Sequence, residues 1–244
     1  MPAMYTDLHC HYVPGIDDGV RRADDGIALC RGLKRAGFSR VIATPHIRTA
    51  MFENKPEDVR GAFATFAQLA ASDSAMPELG VGAEHYCDDV FVRAFGDGRV
   101  CPYPGGHALL IELPSETMPA GLRELVFEMR LKGITPVLAH PERYSAVWRS
   151  SEPIEELVEA GVLPLLDVMS LAERYGREPR RAAERLLDED LYYAACSDAH
   201  KPSDVDVVID SIGRLRRIVG QDEAEDLLGD HPRRVLEGTF GDWL

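Results

Sequence analysis

Short apolar runs alternate with amphipathic stretches along almost the whole chain. The runs "YTDLHCH", "SRVIATPH", "ELGVGAEHY", "HALLIEL", "ITPVLAHPE", "VLPLLDVM" and "YYAACSDAH" are rich in β-branched, aromatic and aliphatic residues, and each predicts a strand. Between them the apolar positions recur at helical spacing. In "GIALCRGLKRAGF" Ile27, Cys30, Leu33 and Lys34 share a face and Gly37 marks the stop. "PEDVRGAFATFAQLAAS" follows with Pro56 in its first turn. "AGLRELVFEMRLKG" puts Leu122, Leu125, Val126 and Met129 on one side. "PIEELVEAG", "PRRAAERLLDED", "DVVIDSIGRLRRIVG", "DEAEDLLG" and "HPRRVLEG" complete the predicted helices, while 47–56 and 88–106 read as loops, the second with room for a short helix.

Repeated strand–helix units imply parallel strands and right-handed crossovers, hence an α/β fold. There are seven such units and no linker or low-complexity break, so residues 1–244 read as one domain. A barrel is favoured over an open doubly wound sheet by where the polar residues fall. Six strands end in a candidate metal ligand: His9 and His11, His46, Glu84, Glu112, His140, and Asp198 with His200. A barrel gathers strand ends around one point, and its carboxyl face is where catalytic groups collect.

His9 and His11 are two apart on a strand, so their imidazoles share a face. Asp198 and His200 repeat that spacing on the last strand, which neighbours the first in a closed barrel. Glu84 and Glu112 each end an apolar run, where a carboxylate must be paired, hydrogen-bonded or metal-bound. Imidazoles mixed with carboxylates suit catalytic Mn, Fe or Zn better than a closed structural zinc site. His85, His107 and His231 read as structural: His85 points away from Glu84, His107 precedes its strand, and His231 stands at a helix start.

Net charge is −14, which argues against a nucleic-acid or membrane-surface partner. It also requires local cations if the substrate is anionic. The cysteines at 10, 30, 87, 101 and 196 are odd in number and form no C-x-x-C pair, which fits a reducing cytoplasm. "MPAMYTDLHCHYVPG" does not read as a signal peptide, and no apolar run approaches the roughly 18 residues of a membrane span. Cys87-x5-Arg93 has cysteine-phosphatase spacing, but Asp88 and Asp89 within it would repel phosphate.

Together "DLHCHYVPGIDDG", "ATPH", "GAEH", "LLIELP", "LKGITPVLAHPER" and "SDAH" resemble the polymerase-and-histidinol-phosphatase (PHP) superfamily, and within it the bacterial capsule-biosynthesis tyrosine phosphatases of CpsB/CapC type. The resemblance runs from Asp7 to the closing "HPRRVLEG". It implies a distorted (β/α)7 TIM-like barrel holding three divalent metals, usually manganese. Carried over by position, the first metal takes His9, His11, Glu84 and Asp198, and the second takes Glu84, Glu112 and His140. The third takes His46, His200 and an aspartate of "IDDG", with Asp18 preferred to Asp17. Metals so placed activate water and clamp a phosphoryl group.

Arg143 is implied as a phosphate-binding arginine. Asp198 or a water molecule is left as the proton source for a leaving phenolate. Relatives of this type carry a second arginine several residues after "SDAH", whereas "SDAHKPSDVDVV" has none. Lys201 and Arg48 are the candidates to replace its charge, and Met169 is expected to narrow the pocket. The resemblance implies hydrolysis of phosphotyrosine on a protein, with a bacterial tyrosine kinase controlling polysaccharide export as partner. The competing readings are a small-molecule phosphatase such as one for histidinol phosphate, an amidohydrolase, and a barrel that binds phosphotyrosine without turnover.

Overall fold

The structure, a computed structural model, describes residues 4–240 and Trp243; the start of the segment read for a signal peptide lies outside the described residues. The strands are β1 (Tyr5–Cys10), β2 (Phe38–Ala43), β3 (His46–Ile47), β4 (Glu78–Val81), β5 (Glu84–Tyr86), β6 (Ala108–Glu112), β7 (Thr135–Ala139), β8 (Leu163–Asp167) and β9 (Ala194–Cys196). Every pairing between them is parallel. The main helices are α1 (Ala23–Arg35), α2 (Pro56–Ala70), α3 (Asp89–Gly96), α4 (Leu122–Leu131), α5 (Glu152–Glu159), α6 (Arg177–Asp188), α7 (Val205–Val219), α8 (Gln221–Glu225) and α9 (His231–Glu237). No helix is long and apolar enough to cross a membrane among the described residues.

The second and third predicted strands are each split. β2 breaks before β3 at Thr44–Pro45, where proline offers no N–H, and β4 breaks before β5 at Gly82–Ala83. Hydrogen bonds still cross the breaks, from Gly82 N–H to the Ala43 carbonyl (2.8 Å) and from Glu84 N–H to that of Pro45 (3.1 Å). The result is two sheets, β1-β2-β4 and β3-β5-β6-β7-β8-β9, consistent with a PHP- or TIM-like barrel.

The last predicted strand stops at Cys196, and between the β9 end and β1 the pairing is an isolated bridge, Cys10 with Ala199. Asp198 N–H donates to His9 O and His11 N–H to Ala199 O, both at 2.9 Å. The Asp7 side chain adds to this seam. It accepts the Ser197 N–H (2.9 Å) and hydroxyl (2.5 Å). Burial pushes the Asp7 carboxyl up to about 6, against those hydrogen bonds.

Alternate strand residues go to two apolar clusters. Leu109, Ile111, Leu138, Leu166 and Ala195 pack with the helices. Leu8, Ile42, Leu110, Val137, Ala139, Leu165 and Cys196 meet each other on the face the two sheets share, with Val235 and Leu236 of α9. Met169 is packed in the helix-side core instead of narrowing a pocket. His231 does not cap α9; its Nδ1 pairs with the Tyr193 carbonyl at 2.7 Å.

Candidate metal centre

Period-two geometry brings the site together. On β6 the inner positions run Ala108, Leu110, Glu112; on β8, Leu163, Leu165, Asp167; from β9, Ala194, Cys196, Asp198. On the second strand Ile42 leads through Thr44 to His46. One face therefore passes from aliphatic to ionisable at the carboxyl ends. His140 and Asp198 reach it by turning the backbone into the left-handed region, with φ of 35° and 46°. Non-glycine residues are uncommon in that region, and such strain tends to cluster at functional sites.

Glu84 lies at the centre. Its Oε2 is 3.2 Å from His9 Nε2, 3.6 Å from His11 Nε2 and 2.9 Å from His46 Nδ1, and its Oε1 is 3.0 Å from His140 Nε2. Asp198 Oδ1 is 3.1 Å from His9 Nε2 and 3.3 Å from His11 Nε2. Asp18 Oδ1 is 3.4 Å from His46 Nε2 and 3.5 Å from His200 Nε2. Ligand atoms converge in four overlapping groups: His11, Asp18, His46 and His200; His9, His11 and Glu84; His9, His140 and Asp198; His46, Glu84 and Glu112. Among the described residues Asp17 joins none of these groups. Its carboxylate instead bonds His11 Nδ1 at 2.7 Å and accepts the N–H of Gly19 and of His46, so it orients His11.

The donor set fits metal ions. Glu84 Oε2, Glu112 Oε2, Asp198 Oδ1, His9 Nδ1 and His140 Nδ1 are buried without a hydrogen-bond partner. His9 Nε2 and His11 Nε2 face each other at 3.1 Å. Buried polar atoms in proteins are as a rule satisfied, and cations bound among these groups would satisfy the carboxylate oxygens of Glu84, Glu112 and Asp198.

The charges are strongly coupled. Burial opposes ionisation of Glu84, yet His9, His46 and the hydrogen bond from His140 hold it well below the usual carboxylate range. Burial likewise opposes ionisation of Asp198, but His9, Arg143 and His200 hold it low. An ionised Asp198 has no proton to donate to a leaving group. Despite burial, Glu84 and a bond to Asp18 lift His46 to about 11, and Asp198 and Asp18 lift His200 to about 9. Burial, with Arg143, presses His140 down to about 4, and burial and then Glu84 push Glu112 up to about 7.

Arg143 does not pair with its neighbour Glu142. Its Nη2 donates to Asp198 and forms an ion pair with Asp167 Oδ2 at 3.2 Å, and its guanidinium lies 4.1 Å over the Tyr175 ring. The side chain is 23% exposed, so the cation stands at the mouth. Glu142 is fully buried and accepts from the Asp167 N–H, Ser170 and Tyr192. Asp167 was missed by the sequence reading, although it ends its strand on the inner face as Glu112 does. Burial, only partly offset by Arg143, raises its carboxyl to about 7.

Lys201 has an exposed side chain; its backbone N–H is held by Asp204 at 3.1 Å. Arg48 reaches Glu112 Oε2 at 3.7 Å and lies 4.0 Å over the Tyr86 ring. The loop carrying it is tied by reciprocal Arg48–Phe52 backbone hydrogen bonds and by Asn54, which donates to the Ile16 and His46 carbonyls. It encloses, with Tyr86 and Phe91, a cavity of about 230 Å³ beside His46.

The structural histidine and the cysteine decoy behave as expected. Burial presses His85 down to about 4, and it bonds the Leu110 carbonyl and the Cys101 N–H. Burial pushes the Cys87 thiol up to about 11, and Asp88 caps α3 through the Val90 and Phe91 N–H groups.

A parallel α/β fold with a buried, multi-residue imidazole–carboxylate centre at the strand ends fits a metal-dependent hydrolase. Residues 5–237 match the family described as "Capsular polysaccharide synthesis, CpsB/CapC", and the chain belongs to that family. It is 29% identical over 194 residues to the tyrosine-protein phosphatase YwqE of Bacillus subtilis, covering 80% of this chain and 76% of that one. It is 25% identical over 240 residues to the tyrosine-protein phosphatase CpsB of Streptococcus pneumoniae, covering 94% and 97%.

Among solved structures it matches one from "Crystal structures of YwqE from Bacillus subtilis and CpsB from Streptococcus pneumoniae, unique metal-dependent tyrosine phosphatases". The TM-score is 0.87 at 26% identity, covering 96% of this chain and 94% of that one. An amidohydrolase from Mycoplasma synoviae matches with a TM-score of 0.62 at 14% identity, covering 97% and 89%, a likeness of fold alone.

Proposed function

We propose that this chain is a manganese-dependent protein-tyrosine phosphatase whose substrate is a phosphotyrosyl protein, specifically a bacterial tyrosine kinase regulating capsule or exopolysaccharide synthesis. The observation that carries the reading is the gathering of nine side chains, Glu84 and Asp198 among them, at the carboxyl ends of the strands, with Arg143 aimed at Asp198. Membership of the CpsB/CapC family and similarity to the tyrosine-protein phosphatases YwqE and CpsB support it.

In this reading three ions would be held, as the family resemblance implies, by His9, His11, Glu84 and Asp198, by Glu84, Glu112 and His140, and by Asp18, His46 and His200; the structure itself groups Glu112 with Glu84 and His46, and His140 with His9 and Asp198. Bound there, divalent ions would activate water and polarise a phosphoryl group at neutral pH. The residues supply the rest. Asp17 and Glu142 orient without touching substrate. Arg143 presents a planar fork to phosphoryl oxygens, steadied from below by Tyr175. Phenolate, with a pKa of about 10, leaves with little help. Asp167, whose carboxyl burial raises, stands beside Arg143 as a candidate proton source, with a water molecule as the other. The cavity beside His46, with Arg48 on its wall and Phe52 stacked on the His46 ring, offers an apolar flank for residues next to the phosphotyrosine. The chain acts as one phosphoesterase domain.

The test is phosphate release with Mn²⁺ from a phosphotyrosyl peptide and from histidinol phosphate in parallel, with a chelator control. Chelator-sensitive release from the peptide alone is expected. Release from histidinol phosphate alone would move the chain to small-molecule metabolism.

A further inference from the structure

The turn after β8 presents two consecutive side chains to two neighbours of the centre, Tyr175 to Arg143 and Arg174 to Asp204. A short 3-10 helix, Val168–Ala172, ends at Glu173 in the left-handed region (φ 59°). The chain then presents Arg174 and Tyr175 in succession. Tyr175 lies under Arg143, which holds Asp198. Arg174 Nη2 donates to Asp204 Oδ1 at 3.1 Å. The Asp204 side chain is only 3% exposed, and its other oxygen accepts the N–H groups of His200 and Lys201, each at 3.1 Å. Arg174 is thus fixed beside the turn that carries Asp198 and His200, while its neighbour is stacked on Arg143. Its own side chain remains 39% exposed.

A phosphate approaching this mouth meets the carboxylates of Asp18, Glu84 and Asp198 on a chain of net charge −14. The cations nearby are unequally committed. Arg143 Nη2 is shared between Asp198 and Asp167. Arg48 faces Glu112 and the Tyr86 ring. Arg174 commits one corner of its guanidinium to Asp204, and a guanidinium carries five N–H donors in a fixed fork. Lys201, by contrast, is anchored by its backbone alone and offers a flexible point charge.

We infer that Arg174 is a substrate-binding residue that grips a phosphoryl oxygen from the side of the His200 turn. Asp204 sets its position, coupling the guanidinium to the backbone of the His200 turn. The inference rests on the phosphatase reading for its substrate, but not on turnover for its test.

Inorganic phosphate is the probe, titrated calorimetrically into the protein at saturating Mn²⁺ for wild type, Arg174→Ala and Arg174→Lys, with bound manganese and melting temperature measured on each. Loss of a charge-assisted hydrogen bond predicts roughly tenfold weaker phosphate binding in Arg174→Ala. The KM for a phosphotyrosyl peptide should rise by a similar factor with a smaller change in kcat, manganese content should be unchanged, and lysine should restore part of the affinity. Unchanged phosphate affinity in Arg174→Ala would overturn the inference. So would a loss that follows lowered manganese content, which would make Arg174 a support for the His200 turn only. If wild type binds phosphate but releases none from the peptide, the phosphatase reading fails, and the Arg174 contact is still decided by the titration.

Discussion

The same strand faces carry two different materials at their two ends. Toward the amino ends the shared inner face is Leu110, Leu165, Cys196, Val137 and Leu8, closed by Val235 and Leu236 of α9. Two residues further along, that face becomes Glu112, Asp167 and Asp198, with Glu84 and five imidazoles between them. The aliphatic floor stabilises by removing apolar surface from water. The rim does the reverse, since it buries carboxylates whose oxygens lack partners and holds His140 and Asp198 at left-handed φ. The contrast teaches that the floor secures a fold able to hold an arrangement at the rim that would not persist alone.

Substitutions at the two ends should therefore separate chemistry from stability. Glu84→Gln, at the centre of the rim, should bring turnover to background and lower bound manganese while the protein still folds; retained turnover would remove Glu84 from the centre. Arg143→Ala should lower kcat by about 10²- to 10³-fold. Manganese content should fall far less, and equal loss of both would make Arg143 structural. On the floor, Leu165→Ala should cost about 2–5 kcal/mol of unfolding free energy in denaturant titrations, with the kcat of the folded protein close to wild type. A large kcat effect there would show the two ends are not separable.

The smallest effect concerns pH. The Asp167 carboxyl is raised from 3.8 to about 7 by burial, less the pull of Arg143. A raised folded-state value gives a stability contribution that is full below about 3.8 and lost as pH rises through about 7. Between pH 5 and 8 the melting temperature of the metal-free wild type should fall more steeply than that of Asp167→Asn. Parallel slopes would place the Asp167 proton elsewhere.

Much of the rim was legible because a period of two makes a ligand at a strand end visible against an aliphatic run, as at His9, His11, Glu84, Glu112 and Asp198. Asp167 carried the same signal and was passed over because its strand was read for side-chain size. Asp7 and Glu142 were not legible, because their partners, Ser197 for one and Ser170 and Tyr192 for the other, are brought up only by the fold. The breaks at Pro45 and Gly82 escaped notice because the apolar pattern runs straight through them. The loop at 47–56 is cross-tied through Arg48, Phe52 and Asn54, contacts between residues without periodicity. Arg174 lies on a turn whose sequence says nothing of Asp204 across the site.

The most direct measurement is phosphotyrosine turnover and bound manganese on one preparation as metal is stripped by chelator and returned. The account predicts that turnover disappears with the metal, returns with Mn²⁺, and saturates at about three ions per chain, the number in the proposed ligand sets. Turnover that survives complete stripping, or a folded protein that takes up no divalent metal, would contradict it.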